Sequence, residues 1–201
     1  MNQLIALALS VPGILIAVMV HEFSRAAVST GLGDRLPKIN KRLTLNPFNH
    51  FEPIGFILML VTGFGWGKPV NTSPSAYKNK KRGIITTAVL PTVINFCIAP
   101  VFLILWSKFY SNTYLAYMFR LMFQYNVSLA LYNLWPVSPM DCAKVLTAVL
   151  PTRQRITFTG NEKLFQMIFL LLLFFGVIGA IYRPFINLGL TFWVRILGSI
   201  I

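Results

Sequence analysis

The chain has 201 residues, of which 56% are hydrophobic and only 11% charged. Soluble domains carry about 25% charged residues, and a globule of this size could not hide so much apolar surface from water. The net charge of +13 would suit nucleic acid, but in so apolar a chain it marks the basic loops of a membrane protein, which excludes a soluble domain, a disordered chain and a nucleic-acid-binding module.

A membrane helix needs about 20 apolar residues. Leu4 to Val20 is the first such run and ends at His21. No positive charge precedes it and no clean cleavage site follows, so it reads as a span rather than a signal peptide. Ile54 to Phe64 is too short to cross as a helix and runs into Gly63-Phe64-Gly65-Trp66-Gly67, which predicts a re-entrant hairpin or an interfacial strand pair. Ile84 to Trp106 is the second span, with Pro91, Asn95 and Pro100 inside it. Tyr114 to Leu134 is the third. It carries Arg120, Gln124, Asn126 and Asn133, so it should face other helices or a wet cavity. Leu164 to Tyr182 is the clearest span, and Phe185 to Ile201 either crosses or lies in the interface.

Residues 25–82 hold ten basic residues. The next turn holds only Lys108, residues 144–163 hold four, and the last turn holds Arg183. This alternation predicts cytoplasmic first and third loops and an N-terminus outside. The expected fold is an all-α membrane bundle of about five or six segments, with a short hairpin after the first helix, in one domain over residues 1–201. Cys97 and Cys142 form no CxxC pair and no disulfide framework. Nothing in the sequence shows the internal symmetry or paired half-helices of a small transporter.

Five acids are present: Glu22, Asp34, Glu52, Asp141 and Glu162. Glu22 belongs to His21-Glu22-Phe23-Ser24-Arg25 at the end of the first span. The zinc-protease motif H-E-x-x-H puts two His at i and i+4 on one helix face as metal ligands, with the Glu as base for a metal-bound water. Here Arg25 stands at the second His position. Read alone, Arg25 is a snorkelling anchor. Asp141 follows Asn133-Leu134-Trp135-Pro136-Val137-Ser138-Pro139-Met140. Either it N-caps a short helix over Cys142 to Leu150, or it supplies a further metal ligand.

Several segments resemble those of the site-2 protease family of intramembrane zinc metalloproteases. His21 to Ala26 is similar to its H-E-x-x-H helix. Leu45-Asn46-Pro47-Phe48-Asn49-His50-Phe51-Glu52-Pro53-Ile54-Gly55 is similar to its L-N-P-x-x-H-x-D-P-x-G segment, and Phe64 to Val70 to F-G-W-x-K-P-V. Pro91 to Asn95 resembles G-P-x-x-N without its Gly, and Asn133 to Asp141 resembles N-L-x-P-x-x-P-x-D-G. The five occur in family order over residues 1 to about 160. The resemblance implies hydrolysis of peptide bonds in the membrane by a zinc-activated water, with His21 and Asp141 as zinc ligands and Glu22 as the base. It also implies that Asn95 helps to position a substrate strand, beside the simpler reading of Asn95 and Asn133 as ties between helices.

The departures change this expectation. Arg25 has no lone pair to offer a metal and keeps its charge in proteins. At roughly 4 Å and an effective dielectric of about 20, a guanidinium and Zn²⁺ repel by about 8 kcal/mol. His50 and Cys142 are the candidates for rescue as ligands, but the family does not use a His at the His50 position. Cys142 points about 100° from Asp141 on a helix. Without the metal, Glu22 and Asp141 would lack a cation, and Arg25 could supply it. The expectation is therefore a pseudoprotease, its zinc absent or weakly bound, which lies in the lipid bilayer and binds a transmembrane segment or partner. The alternative is an active zinc protease with an unusual ligand set. The cluster Tyr77 to Arg82 is expected to orient the chain and contact anionic lipid.

Overall fold

The structure, a computed structural model, describes residues 2–198. All its extended regular elements are helices, and it is an all-α membrane protein. Helix α1 (Gln3–Gly31) begins where the Asn2 side chain accepts from the Leu4 amide. Its 29 residues span about 44 Å at 1.5 Å each, well beyond a bilayer core of about 30 Å. The helix therefore carries His21, Glu22 and Arg25 past the apolar run without a break. After Gly33, with φ of +102°, Asp34 accepts from the Leu36 amide and starts the short α2 (Leu36–Ile39).

Residues 54–64 do not form a strand pair. Pro53 opens α3 (Pro53–Thr62), which Gly63 stops in the left-handed conformation at φ of +77°. The chain then returns in extended form along its own helix. Gly55 and Gly65 permit this: a Cβ at Gly55 would lie 2.0 Å from the Trp66 carbonyl oxygen, and one at Gly65 2.0 Å from that of Gly55. Gly67 is pressed against α1 in the same way, with a Cβ there 2.2 Å from Val18 Cγ1. The return strand is thereby laid against the face of α1 that bears Glu22.

Helices α4 (Lys80–Lys108) and α5 (Thr113–Tyr132) form an antiparallel pair packed on α1. Their starts are capped by Asn79 and Asn112. Three short helices follow: α6 (Asp141–Val149), α7 (Thr152–Gly160) and α8 (Glu162–Phe174). The last is α9 (Val177–Leu197). By length and apolarity α1, α4 and α9 can each cross a membrane, and α7 with α8 forms a fourth candidate bent by 55°.

The two C-terminal spans read from the sequence are corrected. Leu164 to Tyr182 is not one helix: it breaks at Phe175-Gly176, where Gly176 takes φ of +73°. Arg183-Pro184 is not a turn but lies inside α9, so Arg183 leaves the tally of loop charges. Phe185 onward is the second half of α9, and residues 199–201 of that predicted span lie outside the described residues. Helix α9 packs on α4 and α5 through Phe96, Val127, Leu190 and Trp193, and Phe169 of α8 joins Phe64 and Tyr132 in a second aromatic core.

Candidate functional site

Helix α1 turns His21, Glu22 and Arg25 inward, and each is 5% exposed or less. Asp141, 3% exposed, arrives from α6. Its placement depends on Asn133, whose Nδ2 donates to the Leu129 carbonyl while its Oδ1 accepts from the Asp141 amide. The Cys142 amide donates to the Asn133 carbonyl. Asn133 thus ties the end of α5 to the start of α6 across the proline-rich turn. Asp141 does not N-cap α6, as one sequence reading had it. Met140 is the cap residue, and Asp141 sits in the first turn with its carboxylate toward α1.

A chain of amides sets the direction of the His21 ring. Asn126 Nδ2 donates to the Met122 carbonyl, which leaves its Oδ1 to accept from Asn95 Nδ2. Asn95 Nδ2 also donates to the Ala17 carbonyl. Asn95 Oδ1 therefore faces His21 Nδ1, 3.1 Å away, and accepts its proton. With Nδ1 turned to Asn95, the ring presents Nε2 to the interior. At that point stands the guanidinium of Arg25. Its Nη2 lies 2.8 Å from His21 Nε2 and 2.5 Å from Asp141 Oδ1. Asp141 Oδ2 lies 2.9 Å from the same His nitrogen.

Glu22 accepts from the Val70 amide at 2.8 Å, held by the return strand that Gly67 admits. Arg25 Nε lies 3.8 Å from Glu22 Oε2, an ion pair without a hydrogen bond. Lys144, one turn after Asp141, brings its Nζ to 3.1 Å from Asp141 Oδ1, and Thr92 Oγ1 donates weakly to Oδ2 at 3.4 Å. Two carboxylates thus face two cations beside the His21 ring. A small cavity of ≈ 20 Å³, with room for about one water, adjoins His21, Glu22, Arg25 and Trp66.

The structure brings together His21, Glu22, Arg25, Asn95, Asn133 and Asp141. Asn126 and Lys144 belong with them. Lys144 could have been found from its i+3 spacing to Asp141 on a helix, but Asn126 carries no such signal. His50 lies elsewhere. It is fully buried, its Nε2 donates to the Thr44 carbonyl, and Arg42 Nη2 donates to its Nδ1. Both ring nitrogens are used, so His50 offers no ligand. Arg42 also donates to the Lys68 and Pro69 carbonyls, so the pair fixes the loop that delivers Val70 to Glu22. The Cys142 thiol is pushed up in pKa, first by burial and then by the Asp141 charge, against the thiolate a metal would require.

Burial holds the His50 ring below the usual histidine range; the hydrogen bond to the Thr44 carbonyl pulls it back up in part, the Arg42 charge pushes it down further, and Glu22 pulls it up more weakly. As pH falls below the ordinary value of about 6.5, the unfolded chain takes up a proton before the folded one does. Stability should then fall with falling pH until the depressed folded pKa is passed. Thermal unfolding in detergent between about pH 7 and pH 5 is expected to show the wild-type advantage over His50→Gln shrinking toward acid. A constant difference over that window would refute a neutral, buried His50.

Zinc does not fit this donor set. Only His21 and Asp141 present ligand atoms to one point, a guanidinium nitrogen lies between them, and no group of three His, Cys, Asp or Glu converges among the described residues. Over 185 residues the chain is 29% identical to a protein of Bacillus subtilis (strain 168) that bears the name "Putative zinc metalloprotease YwhC", a match covering 88% of this chain and 84% of that one. No family model matches the sequence. No solved structure matches it either. The chain is thus a helical membrane protein similar to one named as a zinc metalloprotease.

Proposed function

We propose that this protein is a pseudoprotease of the site-2 protease family, which keeps the scaffold and binds a transmembrane segment without cutting it. The observation that carries the reading is the position of Arg25 Nη2, within hydrogen-bond distance of both His21 and Asp141. A charged group there supplies the cation that the two carboxylates require and occupies the space of a ligand. In this reading His21 and Asp141 are former ligands, and Glu22 is a former base held by Val70. Asn95 and Asn133 hold the scaffold in place. The N-terminus lies outside, with the basic loops 25–82 and 144–163 in the cytoplasm.

The name of the Bacillus relative favours a second reading, a working zinc protease with unusual ligands. Metal content separates the two. Protein purified without chelator is expected to hold well under one zinc per chain by plasma mass spectrometry. About one zinc per chain would sink the pseudoprotease.

A further inference from the structure

Helix α8 carries an uncharged polar side chain that the site does not use. After Lys163 every residue of α8 is apolar except Gln166. Gln166, Phe169 and Leu170 stand at i, i+3 and i+4, on one helix face. That face is turned inward, since Phe169 is buried while Met167 and Leu171, 69% and 58% exposed, look outward. The Gln166 side chain is thus kept from the lipid side, and it makes no hydrogen bond among the described residues.

Gln166 lines a cleft of ≈ 240 Å³ whose other walls include Trp66 on the return strand and Ser138, Pro139 and Met140 in the proline-rich turn. The Ser138 hydroxyl is likewise without a hydrogen bond among the described residues. Trp66, Pro139 and Met140 also border the small cavity at His21, Glu22 and Arg25, so the cleft adjoins the candidate site. At roughly 30 Å³ per water it has room for a large side chain. A lipid tail would fill this space but leave both polar groups unpaired, which costs free energy once water is displaced. A peptide group would not. It offers one N–H and one C=O, and a glutamine amide has the matching acceptor and donor. An intact membrane helix keeps these groups for its own bonds, so the peptide group must come from a place where a helix ends or is broken.

We infer that this cleft seats a broken end of the transmembrane segment that the protein binds, with Gln166 bonded to a freed peptide group and an apolar side chain lodged between Trp66 and Phe169. This rests on the binding function proposed above, and it gives the partner a chemistry: an apolar helix interrupted by helix-breaking residues at the level of the site. Ser138 supplies a second bond to the same stretch.

The test is fluorescence energy transfer in nanodiscs between the full chain and two synthetic leucine-rich transmembrane peptides, one unbroken and one with a Gly-Pro pair near each end. The wild type should hold the broken peptide about fivefold more tightly, and Gln166→Leu should lose about that factor, the size of a neutral hydrogen bond. Ser138→Ala should lose part of it. Gln124→Leu, which removes an exposed polar group of α5 outside the cleft, should change nothing. Gln166→Leu should also unfold at the wild-type denaturant concentration or above it, because it removes an unpartnered polar group from an apolar face. Earlier unfolding of Gln166→Leu would make the residue structural and overturn the site, as would an unchanged preference in that variant or an equal loss in Gln124→Leu. Equal binding of both peptides by the wild type, the result for a cleft filled by lipid tails, overturns the site and leaves the binding function standing. If the wild type holds neither peptide, the binding function itself fails, and the site with it.

Discussion

Arg25→Ala is expected to lower stability against denaturant in mixed micelles by about 3–5 kcal/mol, the range for stripping one partner from a buried ion pair. The reason is the charge arrangement. Asp141 keeps Lys144, but that side chain is 37% exposed and its interaction is screened by solvent. Glu22 keeps the Val70 amide and loses its nearest cation. His21 loses its Nε2 donor and is left facing the Asp141 carboxylate. Arg25→Lys should lose less, since it keeps the charge, yet an ammonium is a point donor and cannot reproduce the guanidinium plane. The double variant Arg25→Met/Asp141→Leu should be less damaged than the sum of its single changes, because apolar groups leave no unpaired charge. Tryptophan fluorescence can follow the unfolding, as Trp66 borders the site. If Arg25→Ala unfolds at the wild-type denaturant concentration, the guanidinium contributes nothing to the fold and the counter-cation reading fails.

Much of this site could be read from the residue types, and what could not is informative. Apolar runs located α1 and α4, because length and hydropathy are local properties; the third predicted span, Tyr114 to Leu134, coincides with helix α5, which is not among the helices apolar enough to be a candidate span. The break at Gly176 escaped because the run around it is uniformly apolar, and hydropathy carries no mark of a bend. Arg183-Pro184 misled in the other direction: a charge and a proline look like a turn, but α9 accommodates both. The ten residues of α3 were ambiguous because a short apolar run fits helix and strand alike. At the site, spacing placed His21, Glu22 and Arg25 on one helix face. The direction of Arg25 depends on where α6 begins, and that is fixed by Asn133 reaching across a turn. A tertiary hydrogen bond of this kind leaves no periodic trace. The same holds for Asn126, whose amide orients Asn95 and through it the His21 ring.

That ring orientation gives the second large effect. Arg25→His is expected to bind about one zinc per chain where the wild type binds little. The substitution places a second imidazole four residues after His21, on the same face. Nothing else about the ligand set must be created. Asn95 already holds Nδ1–H, so His21 Nε2 points at the position that Arg25→His vacates, and Asn95 gives the outer-shell support a zinc-binding His needs. Asp141 already stands 2.9 Å from that nitrogen. The charge argument then predicts a coupling that composition alone would not. Without metal, Arg25→His lacks the cation that Glu22 and Asp141 require and should be less stable than the wild type. Zinc restores the charge, so its addition should raise the unfolding temperature of Arg25→His strongly, in proportion to the logarithm of zinc concentration above the dissociation constant. The wild type should not respond, and a chelator should reverse the gain. Adding Asp141→Asn to Arg25→His should remove most of the zinc, because that change takes away the third ligand's charge. If Arg25→His folds but takes up no zinc, the altered sequence after the acid, Asp141-Cys142-Ala143-Lys144, has moved the carboxylate out of ligand geometry. The guanidinium would then have filled a site already lost for another reason.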